Sequence, residues 1–198
     1  EAVTKLAYQN ESTETLADIA PWKLEQKKNC IDKKCCFLYI ESNTPGLLAN
    51  IDGKKLQTVR IAMETAFEKF EYYTMANIGQ WSIVAIPTIP WAKKAFPDLD
   101  DEKALEKLWN AVLMSVRVSE SNDPVEEWKQ HNEDLEHYCT LLNDYKFKSL
   151  HFKNSMGTDL TVELIRDHVW AAGSEIAKNG ARFNPNMPTE EAFTMPYK

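Results

Sequence analysis

Near the C-terminal end of the chain two adjacent carboxylates, Glu190 and Glu191, sit in the stretch Asn184-Pro185-Asn186-Met187-Pro188-Thr189-Glu190-Glu191-Ala192-Phe193-Thr194-Met195-Pro196. Proline restricts both itself and its predecessor, so this stretch has a local geometry set before folding is complete. Stiffly held carboxylates suit hard or borderline cations such as Mg²⁺, Mn²⁺, Co²⁺ or Zn²⁺. In extended backbone, consecutive side chains point to opposite sides, so only one of Glu190 and Glu191 should face a given site. Read from the residues alone, an adjacent glutamate pair is most often solvated surface, and that reading stays open.

The helical stretch His131-Asn132-Glu133-Asp134-Leu135-Glu136-His137 is the other place where metal-binding side chains gather. Two histidines chelate together from one helix when they are four apart. His131 and His137 are six apart, about 240° around a helix, and cannot do so. Glu133 and His137 share a face, but such a pair is ordinarily a solvent-side contact. His151 and His168 are isolated. Among the six glycines no nucleophile elbow, phosphate loop or dinucleotide fingerprint occurs.

The four cysteines, Cys30, Cys35, Cys36 and Cys139, follow neither a C-x-x-C nor a zinc-ribbon spacing. They read as reduced, mostly buried thiols of a cytoplasmic protein. The 198 residues carry 23 Lys+Arg against 30 Asp+Glu, a net charge of −7. That sign repels phosphate backbones, which argues against nucleic acid as a partner. No apolar run approaches the roughly 20 residues that cross a bilayer, which argues against a membrane role.

Hydrophobic spacing indicates the elements that must position these groups. Leu16, Ile19, Ala20 and Leu24 predict a helix over 11–28 with a kink or restart at Pro21. Cys36-Phe37-Leu38-Tyr39-Ile40 reads as a strand buried on both faces. A long helix over 53–75 follows, with Leu56, Val59, Met63, Phe67, Phe70 and Tyr73 on one face. Next comes a second strand, Trp81 to Ile86, ended by Pro87. This strand–helix–strand order predicts a parallel pair.

Further on, a short helical turn is expected between Pro90 and Pro97, with Trp91, like Trp81, Trp109 and Trp128, in core packing. The alternative is that Trp91 and Phe96 line a cleft beyond the strand end. A helix should follow Asp100-Asp101-Glu102. Another should run from Pro124 to Asp144 with Asp123 as its cap, burying Val125, Trp128, Leu135, Tyr138, Cys139 and Leu142. Leu150 and Phe152, then Leu160, Val162 and Leu164, alternate with polar residues and predict a β-hairpin. Residues 180–197, with Pro185, Pro188 and Pro196, read as ordered loop. The fold class is therefore α/β: an open, mainly parallel sheet flanked by helices, with an antiparallel hairpin near the C-terminal end.

Several stretches taken together resemble the thermophilic-aminopeptidase family of metallopeptidases. They are PNMPTEEAFTMP (185–196), WSIVAIPTIPWAKKAFPD (81–98), Leu108-Trp109, Leu150–Phe152 and GTDLTVEL (157–164), in the family's order. The resemblance implies a metal-dependent aminopeptidase that removes N-terminal residues from peptides with two divalent metal ions (Zn, Co, Mg or Mn). It implies that one of Glu190 and Glu191 is a metal ligand, without choosing between them. It also implies a homodimer formed through the full-length protein and a cytoplasmic location. The family's other ligands, a second glutamate, two histidines, an aspartate and a tyrosine, belong to a C-terminal region that this chain does not contain.

The chain starts at Glu1 without a methionine and stops at Lys198 just after the motif, so it is expected to be a piece of a larger protein. Residues 1–183 would form an N-terminal α/β domain missing its first strands. Residues 184–198 would lead into a catalytic domain. On this reading the piece alone is inactive. The alternative, from a different class, is a non-catalytic α/β binding or assembly module.

Overall fold

The computed structural model of the chain describes residues 1–197. In chain order the elements are α1 (Ala2–Asn10), α2 (Thr13–Ala17), α3 (Pro21–Asp32), β1 (Phe37–Glu41), α4 (Gly53–Ala66), α5 (Glu68–Met75), β2 (Trp81–Ala85), α6 (Ile89–Ala95) and α7 (Asp101–Ser115). Then follow α8 (Pro124–Tyr145), β3 (Ser149–Lys153), β4 (Asp159–Glu163), β5 (Ala171–Ala172), β6 (Glu175–Ile176), β7 (Arg182–Phe183), β8 (Asn186–Met187) and β9 (Ala192–Phe193). They form two compact units, one of Glu1–Met114 with Glu175–Met187, the other of Ser115–Ser174 with Pro188–Lys198.

The first unit holds the parallel sheet, in the order β1-β2-β8. β1 and β2 pair from Phe37↔Trp81 to Glu41↔Ala85, the parallel pair that the strand–helix–strand pattern predicts. β8 adds to the other side of β2 through Ile83↔Asn186 and Val84↔Met187. Residues 180–197, read as loop, therefore contribute a sheet strand here. Its two residues are too few to show a period.

β1 is not buried on both faces. Phe37 and Tyr39 are half-buried, and the Phe37 ring meets Phe70 edge-on at 4.9 Å. Leu38 and Ile40, by contrast, are 62% and 54% exposed. β1 is an edge strand covered on one face only, and four consecutive apolar residues conceal that alternation.

The helix expected over 53–75 breaks at Phe67, which leaves helical geometry (φ −101°, ψ 12°) and separates α4 from α5. Neither Gly nor Pro marks the break. Val59, Phe70 and Tyr73 are buried as their spacing predicts, whereas Met63 is 42% exposed. The helix expected over 11–28 is two helices: Ser12 caps α2 by accepting from Thr15 N–H, and Pro21 opens α3. Thr88 caps α6. Trp91 and Phe96, both half-buried, pack against the buried cluster of Ala92, Ala104 and Leu108.

In the second unit Asp123 accepts from Val125 N–H at 2.9 Å and Pro124 opens α8, as predicted. Trp128, Leu135 and Cys139 form the buried stripe of α8, while Val125 and Tyr138, also assigned to it by spacing, are exposed. β3 and β4 form the expected hairpin, with Leu150↔Val162 and Phe152↔Leu160 on one face. Its turn is built by Asn154, whose Oδ1 accepts from Met156 N–H and Thr158 N–H, and by Gly157 at φ +100°. Among the described residues no helix is long and apolar enough to cross a membrane.

Two outcomes follow from this packing. A Cβ on Gly79 would collide with the ring of Tyr73, which is only 2% exposed. Gly79→Ala should therefore cost about 1–3 kcal/mol in urea unfolding, the usual penalty for overpacking. An unchanged midpoint would show that the ring has room to move.

On the hairpin, hydrogen bonds from His151 and then Lys153 hold the Asp159 carboxyl below the ordinary aspartate range. The stabilisation from this carboxylate is complete above the unfolded-chain value near 3.9. It is lost as pH falls through the lowered folded value. A carbon-detected NMR titration should place the Asp159 midpoint below that of an exposed aspartate. The double variant His151→Ala, Lys153→Ala should raise it.

Candidate functional site

Residues 188–191 form the connection between β8 and β9, and the second unit holds them from two sides. On one side β9 pairs with β5 through Ala171↔Phe193 and Ala172↔Ala192. Thr194 Oγ1 adds a hydrogen bond to Val169 O at 2.8 Å. Directly after β5, Gly173 (φ +69°) passes close over α8: a Cβ there would lie 3.1 Å from Asn132 Oδ1 and 3.2 Å from Leu135 Cδ1. Only glycine suits both the left-handed backbone and the close approach.

On the other side stands a group that begins at Arg117. This residue follows α7 in the left-handed region (φ 57°). Its neighbourhood is pinned by Asn122, whose Nδ2 donates to Arg117 O at 2.9 Å, and by Trp128, whose Nε1 donates to Val116 O at 2.8 Å. Trp128 and His131 are three apart in α8 and so share a face. The indole supports both neighbours: the guanidinium carbon lies 5.5 Å from its ring centroid and the imidazole meets it edge-on at 5.4 Å.

From this platform the Arg117 guanidinium forks onto Glu190, with Nη1 donating to Oε1 and Nη2 donating to Oε2 at 2.9 Å. Nη2 also lies 3.1 Å from His131 Nδ1. His131 Nε2 in turn lies 2.7 Å from the carbonyl oxygen of Thr189, a residue only 4% exposed. A guanidinium can only donate, so Nδ1 must accept; the imidazole proton is then on Nε2 and is donated to Thr189 O. The hydrogen bonds from Arg117 hold the Glu190 carboxyl below the usual carboxylate range, against the opposing push of partial burial. Glu190 N–H donates to Glu191 Oε2 at 2.9 Å, so the second carboxylate is folded back onto the backbone of the first.

The two glutamates therefore differ. Both oxygens of Glu190 face a cation already present in the chain, while the exposed Glu191 uses one oxygen on an amide. Among the described residues no group of three His, Cys, Asp or Glu side chains could hold a metal ion. Catalytic zinc, for comparison, takes three protein ligands and a water. The donor chemistry of the glutamate pair suits a divalent cation, but it fits as one corner of a site.

The histidines are dispersed, as their spacing predicts. His131 belongs to the Arg117 group, His137 leans on Tyr138, His151 pairs with Asp159 at 2.7 Å, and His168 bonds to Ile165 O. Arg117 carries no signal in the sequence, because its partner Glu190 is 73 residues away and Arg117 itself forms part of no local pattern. The only trace is the Trp128–His131 spacing, which marks a shared face and nothing more.

With this geometry in place, the comparisons with known proteins are specific. The thermophilic metalloprotease (M29) family matches residues 1–198, and the chain belongs to that family. It is similar to "Aminopeptidase 2" of Geobacillus stearothermophilus, with 34% identity over 198 residues, all of this chain and 48% of that protein. It is similar to "Aminopeptidase T" of Thermus aquaticus, with 34% identity over 182 residues, 91% of this chain and 44% of that one. Among solved structures, wild-type AmpT from Thermus thermophilus matches with a TM-score of 0.86 and 29% identity, over 98% of this chain and 47% of that one. The mixed α/β architecture thus matches that of the corresponding part of AmpT. The chain spans about half the length of the curated relatives it matches.

The tautomer assigned above can be observed directly. Long-range ¹H–¹⁵N correlation should show His131 Nε2 protonated and Nδ1 bare. A protonated Nδ1 would mean that the contact to Arg117 is not the hydrogen bond described.

Proposed function

We propose that this chain is the N-terminal portion of a metal-dependent aminopeptidase that removes N-terminal residues from peptides. The observation that carries this reading is the family match over all 198 residues, with relatives named as aminopeptidases. Residues 1–183 are its N-terminal α/β domain, and 184–198 lead into the catalytic part. One of Glu190 and Glu191 is a metal ligand in a centre of two divalent ions drawn from Zn, Co, Mg and Mn. When bound, such ions lower the pKa of a water and polarise a scissile carbonyl.

The chain's own contribution is to hold the glutamate pair at one defined place, through the β5–β9 pairing and the Arg117 group. The remaining ligands come from outside this sequence, so the chain alone is inactive. The reading includes a homodimer of the full-length protein, a cytoplasmic setting, and peptides rather than nucleic acid as partners. The net charge of −7 supports the last point.

In the full-length protein, hydrolysis of an aminoacyl chromogenic substrate should stop when a chelator removes metal and return when a divalent ion is restored. One of Glu190→Gln and Glu191→Gln should lower kcat/KM by more than about 100-fold, beyond what loss of a supporting contact costs. Purified 1–198 should show no turnover. Activity indifferent to chelation, or to both substitutions, would refute the reading.

A further inference from the structure

We propose that Arg117 and His131 are positioning residues that preorganise both carboxylates of the Glu190–Glu191 pair for a divalent cation. This inference rests on the metallopeptidase reading above. Three linked contacts carry it. His131 Nε2–H holds the carbonyl of Thr189, which fixes the backbone entering the pair. The Arg117 fork holds both oxygens of Glu190. Glu190 N–H, oriented by the first two contacts, holds Glu191 Oε2. Each carboxylate is thus set by the same source, whichever of them meets the metal.

The surroundings make this source rigid. The Arg117 side chain is 26% exposed and that of His131 12%, against 53% for Glu190, so the supports are drier than the group they hold. Both lie against the buried Trp128. One guanidinium serves two acceptors on different segments, Glu190 and His131, and its planar fork is what permits this. Lysine would supply the charge at a single point and could not reproduce the two-pronged fork on Glu190. Partners standing behind a metal ligand typically govern affinity by 10–100-fold.

The test uses the full-length protein with Co²⁺ as probe. Arg117→Met and His131→Phe should each weaken Co²⁺ binding by about 10–100-fold in competition with a chelating dye. They should also alter the cobalt d–d absorption and lower kcat far more than they change KM. Arg117→Lys should recover less than half of the lost affinity. Val59→Ala, a buried α4 position in the unit that holds neither Arg117 nor His131, serves as the control for mere loss of stability: it should lower the melting temperature while binding Co²⁺ normally.

Wild-type affinity and spectrum in both Arg117→Met and His131→Phe would overturn the proposal. Should the wild-type protein itself take up no Co²⁺, the metallopeptidase reading fails, and amide hydrogen exchange in the metal-free protein then judges the positioning. Faster exchange at Glu190 and Glu191 in both variants supports it, and unchanged exchange overturns it.

Discussion

A single guanidinium organises the second unit around the glutamate pair. Arg117 is largely withdrawn from water, and a buried cation is tolerable only when its donors are satisfied and its charge is met. Glu190 meets the charge, His131 takes a further donor, and Trp128 covers the planar face. Left-handed backbone at a non-glycine residue costs on the order of 1–3 kcal/mol. At Arg117 that conformation lies between two carbonyls, Val116 O and Arg117 O, each bonded to a side chain of the following segment. Tertiary contacts therefore hold the backbone where local preference would not.

That constraint reaches well beyond the ion pair itself. His131 is oriented by Arg117 on one nitrogen and by Thr189 on the other. Thr189 and Glu190 lead into β9, whose ladder to β5 depends on Gly173 passing close over α8. Helix, strand pair and connecting segment thus share one set of contacts. An exposed ion pair would be worth little by itself; here the pair is partly buried and joined to a hydrogen-bonded network, where each contact limits the freedom of the next.

The chain belongs to a metalloprotease family, and the geometry sets the two glutamates apart. Glu190 is bound into the scaffold of its own unit, while Glu191 is set indirectly, through one backbone amide. The fold accordingly supplies an oriented glutamate pair, with ordinary packing devices doing the orienting. The parallel sheet belongs to the other unit.

Much of the local structure was legible in the residues because its causes are short-range. Asp123 caps α8 through a bond spanning two positions, and the alternating runs 150–152 and 160–164 close as a hairpin. Alternation and helical spacing named most of the buried side of α8 and the pairing of β3 with β4. The resemblance of several stretches singled out the glutamate pair as a candidate. The exposed face of β1, the break at Phe67, the two-residue strand β8 and the Arg117–Glu190–His131 group were decided only by the tertiary structure. The physical reason is range: spacing records which residues share a face, but not which distant segment covers that face or which remote side chain supplies a counter-charge.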